Sequence, residues 1–161
     1  AKIEMEAIRD ALCAADPENS TVFQSNYEKY AAELDALDAE FREKLAPLPN
    51  RTIVVAHEAF GYLCDAYGLT QVGIEGLSPD SEPDPGRMAE VIDFVREHSI
   101  STIFFEELVS PKVAEAIASE TGAQAKMLSP LEGLSDEQAA AGADYFSVMH
   151  DNLAALMEAL N

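Results

Sequence analysis

The sequence predicts an α/β fold in which helices flank a four-stranded, mainly parallel sheet that follows one long helix. Short apolar runs alternate four times with amphipathic segments after residue 48, which is typical of consecutive βα units. A helical periodicity of about 25 residues comes before them. The 161 residues, 48% of them hydrophobic, are enough for one sizeable core and hardly for two.

The leading segment predicts two helices. Apolar residues share one face over residues 3–13, and the turn ADPEN ends that helix. Either Asn19 or Ser20 is suited to cap the second helix, whose apolar residues recur at three- and four-residue steps as far as Leu45. The segment PLPN then breaks the pattern. A helix of this length is suited to act as a strut.

Four strands are predicted after the long helix, at residues 51–57, 68–77, 101–107 and 125–128. Between them we expect a helix with Phe60 and Cys64 on its apolar stripe, and a helix opened by Asp84 and Pro85. Ser110 and Pro111 open a third helix, which Thr121 and Gly122 end. Residues 129–143 are predicted as a connection, and the closing helix runs over 145–160. Ligands of such a sheet bind at the carboxyl ends of its strands.

Charge and cysteine content exclude several classes of function. Thirty acidic against ten basic residues give a net charge of -20, which repels nucleic acid and anionic membranes. This charge concentrates cations, but solubility or adaptation to salt explains it equally well. Cys13 and Cys64 lack the spacing of a zinc or redox motif, so we interpret both as core residues. No apolar run spans a membrane, and the acidic amphipathic start is not a signal peptide.

His57 is the best-placed candidate ligand, because it directly follows the first predicted strand. Glu132 follows the fourth strand, and Glu58, Glu106 and Glu107 share the same predicted edge. Imidazole and carboxylate together suit zinc or manganese, but a tetrahedral site needs four ligands. A capping or packing role for His57 stays open at this point.

Other chemistries lack their defining residues. The sequence contains no phosphate-binding or dinucleotide glycine motif, no nucleophile elbow and no HExxH pair. A Cys64 nucleophile lacks a residue to orient its base. We interpret His98, in the last turn of its predicted helix, and His150, within the closing helix, as structural or surface residues.

Four ordered segments resemble the metal-binding proteins of zinc and manganese ABC importers, which are periplasmic or lipid-anchored. They are HEAFGYL, the loop SPDSEPDP, LVSPK and SPLEGL, and the similarity extends from about Ala1 to Leu160. Several motifs in order are far more specific than any one of them. The resemblance implies a two-lobed protein joined by a long helix. Residues 1–47 would be the end of the amino-terminal lobe and that helix, and residues 48–161 the carboxy-terminal lobe.

The resemblance also implies a metal site and a transport partner. His57 corresponds to the ligand from the carboxy-terminal lobe, and Glu132 lies at or next to the fourth ligand. Histidine at position 57 favours Zn²⁺ over Mn²⁺ as the transported ion. The first two ligands belong to the other lobe, so we expect this chain to be a fragment with half of the site, one that is prone to self-association. The intact protein is expected to be extracytoplasmic and non-catalytic, and to deliver its metal to a membrane permease.

Two other interpretations stay open. Surface members of this family are described as adhesins, so the lobe could serve as an interaction module. A stand-alone flavodoxin-like enzyme would also explain the alternating pattern, but not the long leading helix.

Overall fold

The computed structural model describes residues 1–75, 85–107 and 110–161, and it divides the chain into two compact units. The first is Ala1–Glu43 and the second Lys44–Asn161. The assignment of residues 1–47 and 48–161 to two lobes of a larger protein stays a prediction. Within the described residues, none of the helices combines the length and the apolar character that crossing a membrane requires.

The first unit is helical, as predicted. Helix α1 is Lys2–Ala15, a single 3₁₀ turn follows at Pro17–Asn19, and α2 is Ser20–Leu45, whose last residues belong to the second unit. The hydroxyl of Ser20 donates to the Pro17 carbonyl at 2.8 Å, so it closes the turn that starts the long helix. Inside this unit the Arg9 guanidinium lies 4.4 Å from the ring centroid of Tyr27, which is a cation–π contact between α1 and α2.

The second unit alternates strands and helices. In chain order it contains β1 Thr52–Val55, α3 Gly61–Tyr67, β2 Thr70–Gly73, α4 Pro85–Glu97, β3 Thr102–Phe105, α5 Lys112–Thr121, β4 Gln124–Met127, α6 Asp136–Ala140 and α7 Tyr145–Leu160.

The four strands form one parallel sheet in the order β2-β1-β3-β4, which confirms the predicted fold class. The chain leaves β1 for β2 on one side and later returns to place β3 on the other. The carboxyl ends of β1 and β3 are therefore the topological switch point, where sheets of this kind bind ligands.

The sheet is covered on both faces. Alternate strand residues such as Val54 and Ile103 pack with α4 and α5 in one apolar cluster. Their neighbours Val55 and Phe104, which point the other way, are equally buried. This explains why the two central strands, β1 and β3, are near-continuous apolar runs rather than alternating ones.

Local chemistry fixes the ends of several elements. Pro85 opens α4, as predicted, because proline at the first helical position loses no hydrogen bond. Asp84, the other half of that prediction, lies outside the described residues. Gly122 ends α5 with φ of 79°, a conformation that suits glycine. Arg51 donates to the carbonyls of Leu45 at 2.7 Å and Gly68 at 3.0 Å, so it satisfies acceptors at two chain turns.

The structure differs from the predicted elements in three details. Each strand has four residues, fewer than predicted for the first three. In β1 and β3 the regular ladder ends before the polar residues of the carboxyl edge. The predicted connection 129–143 contains α6, held by a capping box between Ser135 and Gln138. His98 lies one residue beyond the end of α4 rather than in its last turn.

Candidate metal centre

His57 lies two residues beyond the end of β1, at the switch point of the sheet. The amide of Ala56 still donates to the Phe104 carbonyl at 2.9 Å, so the sheet continues up to the residue before it. The chain then turns, since the amide of Ala59 donates to the His57 carbonyl at 2.9 Å. These contacts fix the backbone of His57. The residue is buried, with an exposed fraction of 5%.

Glu106 is the neighbour of His57 on the adjacent strand. The pairing of Val55 with Phe104, continued by two positions, brings His57 beside Glu106. Oε1 of Glu106 contacts Nδ1 of His57 as an ion pair would, and the Glu106 side chain is equally buried. The contact is close but lacks hydrogen-bond geometry, and among the described residues neither atom has a hydrogen-bond partner.

Burial raises the pKa of the Glu106 carboxyl, because the charged form loses its hydration. The neighbouring His57 opposes this effect. The charges of Glu132 and Glu107 raise the pKa of Glu106 further. The switch point is therefore an acidic, poorly hydrated place in which a cation would relieve repulsion between carboxylates.

A second polar group lies beside β4. Glu107 accepts a hydrogen bond from the Ser129 hydroxyl, which in turn accepts from the Leu131 amide at 3.1 Å. The buried Asn152 of α7 binds the backbone of Ser129 twice, since its Oδ1 accepts from the amide and its Nδ2 donates to the carbonyl, both at 2.8 Å. The loop after β4 is thus anchored to the core.

Glu132 belongs to this anchored loop and is exposed. The residue before it, Leu131, has φ of 63°, an uncommon backbone conformation for leucine. The anchored backbone and the tight turn together set the direction in which Glu132 leaves the loop.

The described part of the chain contains no group of three or more His, Cys, Asp or Glu residues that could hold a metal. His98 is exposed and stacks on Phe94 with 4.1 Å between ring centroids, and His150 is exposed on α7.

Cys64 is buried, as expected, whereas Cys13 is only half-buried, and neither forms a disulfide. Burial raises the pKa of the Cys64 thiol to about 11.

An open cleft of about 660 Å³ lies next to this edge. Glu106 and Glu107 line it together with residues of α6 and α7, but His57 and Glu132 do not. The cleft therefore does not coincide with the predicted pair of ligands, and the chemistry of the donors is the better guide to a metal.

Two features of the edge were not predicted. The contact of Glu106 with His57 depends on the strand order, which the sequence does not state. The sequence does contain a signal for the buried role of Asn152, because it is a polar residue among Met149, Leu153 and Leu156 on the apolar face of α7. A polar group on such a face must have a buried partner.

Fold and edge together define an α/β domain with an acidic, histidine-containing switch point, the place where sheets of this kind bind ligands. The chain belongs to the family described as ZnuA, zinc-uptake complex component A, periplasmic, whose family model matches residues 1–159. This confirms the resemblance drawn from the four sequence motifs.

Named relatives are consistent with this membership. The high-affinity zinc uptake system protein ZnuA of Bacillus subtilis (strain 168) is 39% identical over 99% of this chain and 50% of its own length. The zinc-binding lipoprotein AdcA of Streptococcus pneumoniae serotype 4 is 42% identical over 96% of this chain and 31% of its own length. The chain thus spans half or less of the length of these curated relatives.

Solved structures share the fold. The Zn(II)-bound ZnuA-like domain of Streptococcus pneumoniae AdcA superposes with a TM-score of 0.83 at 41% identity, over 96% of this chain and 58% of that one. The laminin binding protein Lmb of Streptococcus agalactiae, described as bifunctional with adhesin and metal transporting activity, gives a TM-score of 0.85 at 36% identity. It is matched over the same shares of the two chains, 96% and 58%.

Proposed function

We propose that this chain is the metal-coordinating lobe of the substrate-binding component of a zinc ABC importer, with His57 and Glu132 as two of the ligands. The observation that carries the proposal is the position of His57, which is held by the backbone at the switch point and contacts the buried carboxylate of Glu106. Family membership favours Zn²⁺ as the transported ion, with Mn²⁺ as the alternative.

The chemistry of the pair suits this role. Neutral imidazole and ionised carboxylate both donate lone pairs to zinc, and four such ligands complete a tetrahedral site. Two ligands are too few for tight binding. The remaining ligands would come from residues outside this chain, which fits relatives of at least twice its length.

The lobe would bind and release its ion without catalysing a reaction. The partner we propose is the membrane permease of the importer, and the location is extracytoplasmic, in the periplasm or as a lipoprotein on the outer face of the membrane. Because imidazole must be neutral to bind, zinc affinity should fall as the medium becomes acidic.

Isothermal titration calorimetry at pH 7.5 tests the proposal. We expect tight zinc binding by the full-length gene product and weak binding by the 161-residue chain. His57→Ala should lower the affinity of the full-length protein at least about 100-fold, because it removes a direct ligand. His98→Ala is the matched control, since that histidine is exposed and stacks on Phe94, and it should leave the affinity unchanged.

Wild-type affinity in the His57→Ala protein would overturn the assignment of His57. Equal affinity of the chain and the full-length protein would place all ligands within this chain, and would direct attention to Glu58, Glu106 and His150. The same titration with Mn²⁺ decides between the two metals.

A second candidate function is adhesion, favoured by the similarity to the laminin binding protein Lmb. Surface plasmon resonance with immobilised laminin tests it, with serum albumin as the control surface. Saturable binding that survives His57→Ala would support a separate adhesive surface. No binding above the albumin control would leave metal transport as the single proposal.

A further inference from the structure

The environment of His57 contains a carboxylate whose placement the metal site alone does not require. Glu106 comes from the neighbouring strand, and the register of β1 and β3 brings it beside His57. Its Oε1 contacts Nδ1, the ring nitrogen closer to the backbone. Both side chains are almost fully buried, with exposed fractions of 6% and 4%.

The contact pairs two atoms that have no other suitable partner. Within residues 1–75, 85–107 and 110–161, neither Nδ1 of His57 nor Oε1 of Glu106 has a hydrogen bond to a third group. Burying such atoms without hydrogen-bond partners is unfavourable, because each loses its hydrogen bonds to water. A small rotation of either side chain would convert the contact into a hydrogen bond and offset the lost hydrogen bonds to water, although not the lost hydration of the carboxylate charge.

Such a bond would decide which nitrogen of His57 carries the proton. A neutral imidazole has one N–H group and one lone pair, and an ionised carboxylate can only accept. The proton is therefore favoured on Nδ1, facing Glu106. The lone pair is then on Nε2, the nitrogen farther from the backbone, where it is available to a metal ion.

We propose that Glu106 is a positioning residue for His57, which holds the ring in the tautomer whose Nε2 binds the transported cation. This inference rests on the proposed role of His57 as a ligand. Carboxylate partners of metal-binding histidines act in this way, and their loss typically costs 10–100-fold in metal affinity. Glu107, the next residue, faces Ser129 instead and is not part of the device.

Two measurements test the proposal, and the first needs no metal. Long-range ¹H–¹⁵N correlation spectra of the chain, labelled at histidine nitrogen and recorded at pH 8, report which ring nitrogen carries the proton. We expect Nδ1–H for wild-type His57 and loss of that preference in Glu106→Ala. Glu106→Gln should restore it, because the amide oxygen can also accept the Nδ1 proton.

The second measurement is zinc affinity of the full-length protein by competition with a chromophoric chelator. Glu106→Ala should weaken binding about 10–100-fold, and Glu106→Gln should recover part of the loss. Glu97→Gln is the matched control, because it makes the same substitution on an exposed side chain at the end of α4. We expect less than about a threefold change for it, as for a screened surface charge.

The outcomes are separable. An unchanged tautomer in Glu106→Ala overturns the positioning role, whatever happens to affinity. Should the alanine variant fail to fold, the wild-type spectrum decides: Nδ1–H on His57 supports the proposal, and Nε2–H, which leaves no proton facing the Glu106 carboxylate, contradicts it. Failure of the wild-type protein to bind zinc would end the proposed function, while the spectra would still report the contact of Glu106 with His57.

Discussion

Two buried polar groups lie at the carboxyl edge of the same sheet, and they differ in how their hydrogen-bonding capacity is used. Asn152 and the backbone of Ser129 exchange two hydrogen bonds of 2.8 Å. At His57 and Glu106 a nitrogen and an oxygen are in contact, yet both lack a regular hydrogen bond to any described residue.

This difference distinguishes polar groups that stabilise the fold from polar groups that serve a function. A buried polar group with all its partners stabilises one conformation of the chain, whereas one without them costs stability and persists for another reason. In this chain the first kind anchors the loop that carries Glu132, and the second kind surrounds the histidine proposed to bind zinc. Three variants break or sharpen this comparison, starting with the largest expected effect.

Removal of the Asn152 side chain, which anchors the loop after β4, should cost the most stability. Asn152→Ala leaves the amide and the carbonyl of Ser129 buried without partners, and we expect a loss of about 2–4 kcal/mol in the free energy of unfolding. Urea denaturation followed by circular dichroism measures it. Asp151→Ala, an exposed neighbour on the same helix, is the control and should stay within about 0.5 kcal/mol. A larger loss in His57→Ala than in Asn152→Ala would reverse the comparison.

Removal of the buried charge of Glu106 should instead raise stability. The pKa of Glu106 is raised by burial, so the folded chain pays for an ionised carboxyl at neutral pH. Below the ordinary value of 4.5 the group is protonated in both states, and this cost vanishes. As the pH rises above that value the cost returns and the folded chain loses stability, because the Glu106 carboxyl ionises in the unfolded chain first.

The glutamine in Glu106→Gln does not titrate. Its gain in the free energy of unfolding over the wild type should therefore appear only above about pH 4.5. We expect the metal-free variant to be more stable than the wild type by roughly 1 kcal/mol at pH 7, since a buried amide remains but a poorly hydrated charge is gone. Urea titrations at pH 4 and pH 7 measure the difference. A variant less stable than the wild type at pH 7 would place Glu106 among the stabilising groups.

The sequence was sufficient for the fold class because the two central strands are short apolar runs, and because strand and helix patterns alternate along the chain. It also located His57 and Glu132 at the carboxyl edge, since each follows a strand in the chain. Their role as ligands came from the resemblance to a family and stays a proposal.

Contacts across the sheet could not be predicted in the same way. That Glu106 faces His57 and Glu107 faces Ser129 follows from the register of β1 with β3 and of β3 with β4, and a register depends on strand order. Helix α6 is a different case. Its first residues, Ser135 to Gln138, form a capping box that the sequence does display, within a segment predicted as a connection.

Glu107 combines the two situations in one side chain, since it is hydrogen-bonded through only one of its carboxyl oxygens, and it therefore gives the finest test of the comparison. One of its carboxyl oxygens accepts from the Ser129 hydroxyl, and the other has no hydrogen-bond partner among the described residues. Glutamine keeps an oxygen for Ser129, so Glu107→Gln should change the free energy of unfolding by no more than about 0.5 kcal/mol.

The same variant should affect Glu106 through charge alone. The charges of Glu132 and Glu107 both raise the pKa of Glu106, and Glu132 has the larger influence. Glu107→Gln should therefore lower that pKa, and Glu132→Gln should lower it more, in a ¹³C carboxyl titration of the metal-free chain. A larger change of that pKa in Glu107→Gln would mean that Glu107, beside β4, lies nearer to the Glu106 carboxyl than the proposed ligand Glu132 does.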